Sequence, residues 1–362
     1  MKSYLQFDEQ DWARIGRDWT AWWHGETDRP MVMIETMANP RYSLDTWNEH
    51  LTLFPLTQSA EAVIDRFAPQ LETLRYLGDA FPKWVPYFGP GVIAAFLGSP
   101  VDASTGTTWF HPSGIASLAE TDLTYTTDNP WWQRVEAVTR AAVARWGDRV
   151  VVGHTDLGGN LDILASLRGT QQLLLDLYDA PDEVERLLGQ ITLLWLRYYD
   201  AFRRLVAASN RCTAGWSPLM MPGSGYMLQS DFSYMISPRM FERLVLPDLT
   251  ACCDTLDYAF YHLDGKGQVK HLDMLLAIER LRGIQWIPGD GAPPPEEWIP
   301  LLKRIRHGGK LCQLYVTPDG ALKIARELGG KGFAFCIGNG AYLTSDQAAA
   351  CYDALRGEGL LE

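Results

Sequence analysis

The sequence predicts an α/β fold, a single (β/α)8 TIM barrel over residues 1–362, with an N-terminal helical extension over 1–28 and an insertion near residues 80–130. Three observations predict it. Short apolar runs alternate with long amphipathic stretches, the pattern of parallel strands joined through helices. The last third repeats four strand–helix units within about 100 residues, at about 25 each, which suits a closed barrel better than an open sheet. No Gly-rich phosphate fingerprint of an open nucleotide-binding sheet is present. A length of 362 residues fits one barrel, since such units run past ~250 residues.

The elements follow in order. The first strand is Met31–Ile34, after Arg29-Pro30, and a helix spans about 59–76. Residues 79–100 are rich in Pro, Gly and aromatics and read as an irregular loop with one short helix. Residues 101–130 read as a hairpin-rich insertion around Trp109 and Phe110. A helix over about 131–146 leads to a strand at 150–153. Pro181, with acidic neighbours in the first turn, starts a long helix to about 208. A strand is expected at 212–217, and Ser237-Pro238 caps and opens a helix to about 256. Strands near 258–263, 283–287, 310–316 and 332–337 then alternate with helices near 267–281, 294–307, 317–329 and 344–357.

Composition narrows the function. Hydrophobic residues make up 47% and net charge is −12, so an acidic surface would repel phosphate backbones and nucleic acid is not an expected partner. No basic run suits an anionic membrane. The N-terminus has no apolar signal-like core, and no stretch of ~18 apolar residues occurs. A cytoplasmic location is therefore expected. The six cysteines form no C-x-x-C pair and read as buried free thiols. The many aromatics are mostly core; some fall at strand ends and in loops, where they would line a small-molecule pocket. Trp84, Tyr87 and Trp286 are the candidates.

In a barrel, chemistry sits where a strand ends and its following loop begins. The strand at 150–153 runs into His154, Asp156, Asn160 and Asp162, where Asp156 or Asn160 could equally cap the next helix. The strand that starts at 258 runs into His262 and Asp264, two apart and so on one face of an extended chain. Such a pair could bind a metal, handle a proton or simply orient a loop. Trp286 precedes a turn with Asp290, which is a candidate at the same height or a turn former. Cys336 ends the last strand. Tyr226 to Phe232, with Asp231, reads as a lid over the mouth or a plain loop.

Three stretches resemble the uroporphyrinogen decarboxylase superfamily, which includes corrinoid-dependent methyltransferases. They are Leu167-Arg168-Gly169 with Leu174–Pro181, Ile236–Phe241 with Leu246-Pro247, and Tyr261–Gly265. With Arg29-Pro30 they cover most of the chain in the family's order. The resemblance implies a (β/α)8 barrel. The decarboxylase branch holds its acidic substrate with a pair of arginines after the Arg-Pro strand; here only Arg41 stands there, and the negative net charge is poor for such a substrate. The methyltransferase branch carries a zinc site of the form His-x-Cys with a second Cys downstream. His262 and Cys336 match, and Asp264 replaces the first Cys, so the resemblance implies His262, Asp264 and Cys336 as metal ligands. A carboxylate makes zinc a harder Lewis acid, better suited to polarising an oxygen or nitrogen than to activating a thiol.

The expected function is thus a metal-assisted methyltransferase acting on a small O- or N-methylated substrate, with the corrinoid carried by a partner protein. Asp156 joins His262 and Asp264 as catalytic candidates. Arg41, Trp84, Tyr87, Asn160, Tyr226, Asp231, Trp286 and Asp290 would bind substrate. The alternatives are a metal-free decarboxylase or lyase, using His262 and Asp264 for proton transfer, and a non-catalytic ligand-binding barrel. The aromatic content also allows a homodimer.

Overall fold

A computed structural model of the chain describes residues 1–39, 49–338 and 343–361. The chain is mixed α/β, with a central, mostly parallel seven-stranded sheet surrounded by helices. Eleven strands occur among the described residues: β1 (Met31–Met37), β2 (Leu74–Gly78), β3 (Lys83–Trp84), β4 (Val101–Asp102), β5 (Trp109–Phe110), β6 (Val151–Val152), β7 (Gly225–Leu228), β8 (Tyr258–Asp264), β9 (Leu281–Ile287), β10 (Leu311–Val316) and β11 (Phe333–Ile337). The large sheet has the order β2-β1-β11-β10-β9-β8-β7, in which only β2 runs antiparallel to its neighbour. Strands β3 and β6 form a separate parallel pair, and β4 and β5 a hairpin in the expected insertion. The pairing of the first strand with the last is the arrangement a barrel requires, and the architecture is compatible with one.

Most of the expected elements form. The helix expected from Ser237-Pro238 to about 256 forms as two, Pro238–Leu244 and Leu246–Thr255, and three other elements depart further. The expected strand at 212–217 reduces to a bridge between Thr213 and Met221. Pro218 and Pro222 follow the segment and have no N–H to donate to a ladder. The strand instead comes later, at β7, within the stretch that read as a lid. The helix expected to reach residue 76 stops at Thr73, because Leu74–Gly78 pairs with β1. The helix expected over 267–281 shrinks to a 3-10 turn, Lys266–His271, and a short helix, Leu272–Ala277.

The N-terminal segment is packed into the fold. Helix α1 (Glu9–Trp23) is capped by Asp8, whose carboxylate accepts from the Gln10 and Asp11 N–H groups. Its inner face carries Trp19, Trp22 and Trp23, all essentially buried. Each indole N–H donates to a backbone carbonyl at the N-terminal edge of the sheet: Trp19 to Asp79 at 3.0 Å, Trp22 to Phe333 at 3.0 Å and Trp23 to Met220 at 2.7 Å. Buried indoles need such acceptors. Beside them, Arg29 holds Asp79 with two hydrogen bonds, at 2.7 and 2.9 Å, and Asp79 in turn accepts from the Val32 N–H. This polar knot fixes the start of β1.

The opposite edge is drawn together by glycines. Gly158 has φ +83°, and a Cβ there would lie 2.6 Å from the Cα of Gly91. A Cβ on Gly159 would lie 2.1 Å from the Gln229 carbonyl oxygen. Three loops, following β3, β6 and β7, therefore meet backbone to backbone. A Gly158→Ala substitution is expected to destabilise the protein by about 1–3 kcal/mol, from an unfavourable φ and the collision with Gly91. The shift of a urea unfolding midpoint measures it, and an unchanged midpoint would show that the loops do not pack this closely.

Candidate functional site

The C-terminal ends of the strands surround an open pocket of about 420 Å³, a size suited to a small molecule. Its wall includes Glu35 of β1, Lys83 and Tyr87 from and after β3, Asp156 after β6, Gln229 and Asp231 after β7, His262 of β8, Tyr315 of β10 and Cys336 of β11. Met33, Pro90, Trp216 and Pro218 fill the spaces between them.

On β8 alternate side chains share a face, so Phe260, His262 and Asp264 point one way. Phe260 packs on Trp22 and Trp23 at the closed end. His262 and Asp264 stand at the open end, and Asp231 reaches them from the turn after β7. One donor atom from each of Asp231, His262 and Asp264 lies within 4.8 Å of the other two. The Asp231 turn is held from below: the Asp162 carboxylate accepts from the Asp231 N–H at 3.0 Å and the Phe232 N–H at 2.7 Å. The His262 ring stands edge-on to Trp216, with centroids 5.1 Å apart. Its Nδ1 is hydrogen-bonded to Gln285 of β9.

The acids here are crowded. Burial pushes Asp156 up to about 7, aided by the charge of Asp231 and opposed by the N–H groups of Gly158 and Gly91 that its carboxylate accepts, at 2.9 and 3.3 Å. Burial likewise pushes Asp162 up to about 7, with Asp231 adding to the rise. Asp231 is exposed to the open cavity yet hemmed in by atoms on several sides. That loss of water raises its carboxyl, with His262 pulling it back and Asp264 adding to the rise. On the opposite wall Lys83 and Glu35 form an ion pair at 2.6 Å, both side chains mostly covered. Burial raises the Cys336 thiol well above its ordinary value, so it is a neutral thiol at neutral pH.

The expected residues divide accordingly. His262, Asp156, Asp231, Tyr87 and Cys336 line the pocket, and Asp264 completes the donor group at its edge. Trp84 borders the pocket, but its ring packs on Phe67 and Trp146 behind the strand. Cys336 does not stand with His262 and Asp264; Asp231 is the third donor of that cluster. Five expected substrate contacts need correction or fall outside. Tyr226 is buried in β7, its hydroxyl accepting from the Leu157 N–H at 2.7 Å. Asn160 is buried, donating to the Leu244 carbonyl at 3.2 Å and accepting from the Leu161 N–H. Trp286 points to the helices, against Trp298 at 5.1 Å, because strand alternation turns it away from the face that Gln285 shares with His262. Asp290 is exposed in the turn after β9 and does not line the pocket. Arg41 lies outside the described residues.

His154 is also not part of the site. It is buried against Tyr199 and Phe202, and burial pushes it down to about 3. Glu35, Lys83, Trp216 and Gln285 escaped sequence reasoning. The signal for Gln285 was a lone polar residue inside an apolar strand.

No family model and no curated protein matches the sequence. The fold itself is a known one, a mostly parallel α/β architecture with its cavity at the C-terminal strand ends. Among solved structures the chain is similar to a methyltransferase from Methanosarcina mazei, with a TM-score of 0.63 at 12% identity, over 95% of this chain and 98% of that one. At that identity the likeness shows a shared fold. Among the described residues no helix is long and apolar enough to cross a membrane.

Asp156 makes a pH prediction. Its carboxyl is raised from 3.8 to about 7 on folding, so the folded state binds a proton that the unfolded state releases. Its contribution is full below about pH 4 and is lost as pH rises towards 7. In the metal-free protein, Asp156→Asn is expected to remove up to about 1.4 kcal/mol per pH unit of that decline. Denaturant titrations between pH 4 and 7 measure it; identical slopes for the two proteins would refute a buried, protonated Asp156.

Proposed function

We propose that the protein is a metal-assisted methyltransferase on a uroporphyrinogen decarboxylase-like (β/α)8 barrel. It would move a methyl group between a small O- or N-methylated substrate and a corrinoid held by a partner protein. The observation that carries this reading is the convergence of Asp231, His262 and Asp264 donor atoms within 4.8 Å at the edge of the pocket. The methyltransferase named among the similar structures supports it at the level of fold.

The donors fit a zinc ion. One imidazole nitrogen and two carboxylate oxygens are ordinary zinc ligands, and three protein ligands leave a position for substrate. The Nδ1 of His262 is occupied by Gln285, which leaves Nε2 for the ion. A zinc ion with two carboxylate ligands supplies a hard Lewis acid for an oxygen or nitrogen of the substrate. Cys336, protonated and set apart, is not needed as a ligand.

The chain's own residues would do the rest. The oxygen or nitrogen that loses a methyl group needs a proton, and Asp156 is a carboxyl on the pocket wall that burial pushes up to about 7, suited to giving one. Lys83 and Glu35 face the pocket together and would hold a polar substituent at the far end. Tyr87, Trp216, Pro90 and Pro218 exclude water around the reacting atoms. At the rim, Tyr234 and Met235 are exposed just beyond Asp231, an apolar edge on which the corrinoid protein would dock.

A metal-free decarboxylase or lyase, with His262 and Asp264 moving the proton, is the second reading, favoured by the raised carboxyl of Asp156 and the Lys83–Glu35 pair on the same pocket lining. Metal content measured by mass spectrometry separates the two. About one zinc per chain is expected in the wild type and in Cys336→Ala, and loss of it in His262→Ala. Zinc retained by His262→Ala would remove this site. No zinc in any of the proteins after incubation with the ion, with activity indifferent to chelators, would leave the lyase.

A further inference from the structure

We infer that Gln285 and Gln313 form a relay that locks His262 in its Nδ1–H tautomer, anchored at its far end by Cys336. The link to zinc rests on the function proposed above; the tautomer does not.

The relay follows from register. His262 of β8 lies opposite Gln285 of β9, and Gln285 opposite Gln313 of β10. Equal alternation in parallel strands puts all three on one face. Both glutamines are fully buried, in a barrel layer that branched apolar residues ordinarily fill. Buried amides need partners for both ends, and these find them in one another. His262 Nδ1 meets Gln285 Oε1, Gln285 Nε2 donates to Gln313 Oε1, and Gln313 Nε2 donates to Cys336 Sγ at 2.9 Å. A continuous chain thus crosses four neighbouring strands.

Its direction is set by Ser217. That residue is fully buried, and its hydroxyl donates to Gln313 Oε1 at 3.3 Å. Reversing the chain would make the Cys336 thiol the donor, turn the Gln313 amide N–H2 towards Ser217 and leave the serine hydroxyl proton without an acceptor. A buried donor without a partner costs about 1–3 kcal/mol, and a thiol is a weak donor in any case. With Gln313 Oε1 fixed as an acceptor, Gln285 must present Nε2 to it and Oε1 to the imidazole. His262 Nδ1 then carries the proton, and the lone pair of Nε2 is left for the Asp231–Asp264 group. Gln285 is a positioning residue that acts through His262, and its side chain also meets the Tyr315 hydroxyl. Cys336 terminates the relay.

Nitrogen-15 NMR of histidine-labelled, metal-free protein, above the ordinary imidazole range, tests this directly. The chain has seven histidines, so the His262 ring is assigned by the signals lost in His262→Gln. The wild type is expected to show a protonated Nδ1 and a bare Nε2. Gln285→Leu is expected to shift the ring to the Nε2–H form and to weaken zinc binding about 10- to 100-fold in chelator competition. Gln285→Glu, whose carboxylate still accepts from Nδ1, is expected to keep the tautomer and most of the affinity. An Nε2–H ring in the wild type, or an unchanged ring in Gln285→Leu, overturns the relay. The wild-type spectrum decides alone if Gln285→Leu does not fold. Should the wild type bind no zinc, the metal reading fails while the spectrum still decides the relay.

Discussion

The site depends on one constraint, the lateral register of β8, β9 and β10. Parallel pairing sets His262, Gln285 and Gln313 side by side, and Ser217 and Cys336 bond to the same row. A slip of one residue on β9 would replace Gln285 with Trp286 or Ile284 and send the polar side chain towards the helices. The glutamines therefore act as a register key as well as a hydrogen-bond chain. Misalignment would leave buried amides unpaired, a larger loss than the apolar contacts of any one strand residue.

The same burial shapes the acids. Asp156 lines the pocket and Asp162 lies behind its wall, both with backbone N–H groups as partners and, among the described residues, no cation in hydrogen-bonding contact. Desolvation wins over those hydrogen bonds for both. Asp79, at the other edge of the sheet, is as deeply buried but is held by Arg29 in a two-bonded ion pair. One chain thus treats buried carboxylates in two ways: charged and paired where the fold must be fixed, uncompensated where a proton is useful.

Much of this was legible in the sequence. The last four strands show in the apolar runs, and the rule that chemistry sits at strand ends pointed to His262, Asp264, Asp156 and Asp231. The failures have physical causes. Trp286 and Gln285 differ by one residue, and only pairing with β8 reveals which faces inward. Tyr226 fell in a segment rich in Gly, Pro and Ser, whose brief strand of four residues carries no periodic signal. Asp231 was seen as a substrate contact, but its meeting with His262 depends on the Asp162 cap, which joins residues 69 and 70 positions apart. Glu35 and Lys83 pair across 48 positions, beyond what local patterning can show.

The three tryptophans of α1 have a consequence for traffic. They close one end of the strands with side chains bonded to the backbone, so among the described residues the pocket opens at the C-terminal ends of the strands. Whatever enters from that side passes the loops that carry Asp156 and Asp231.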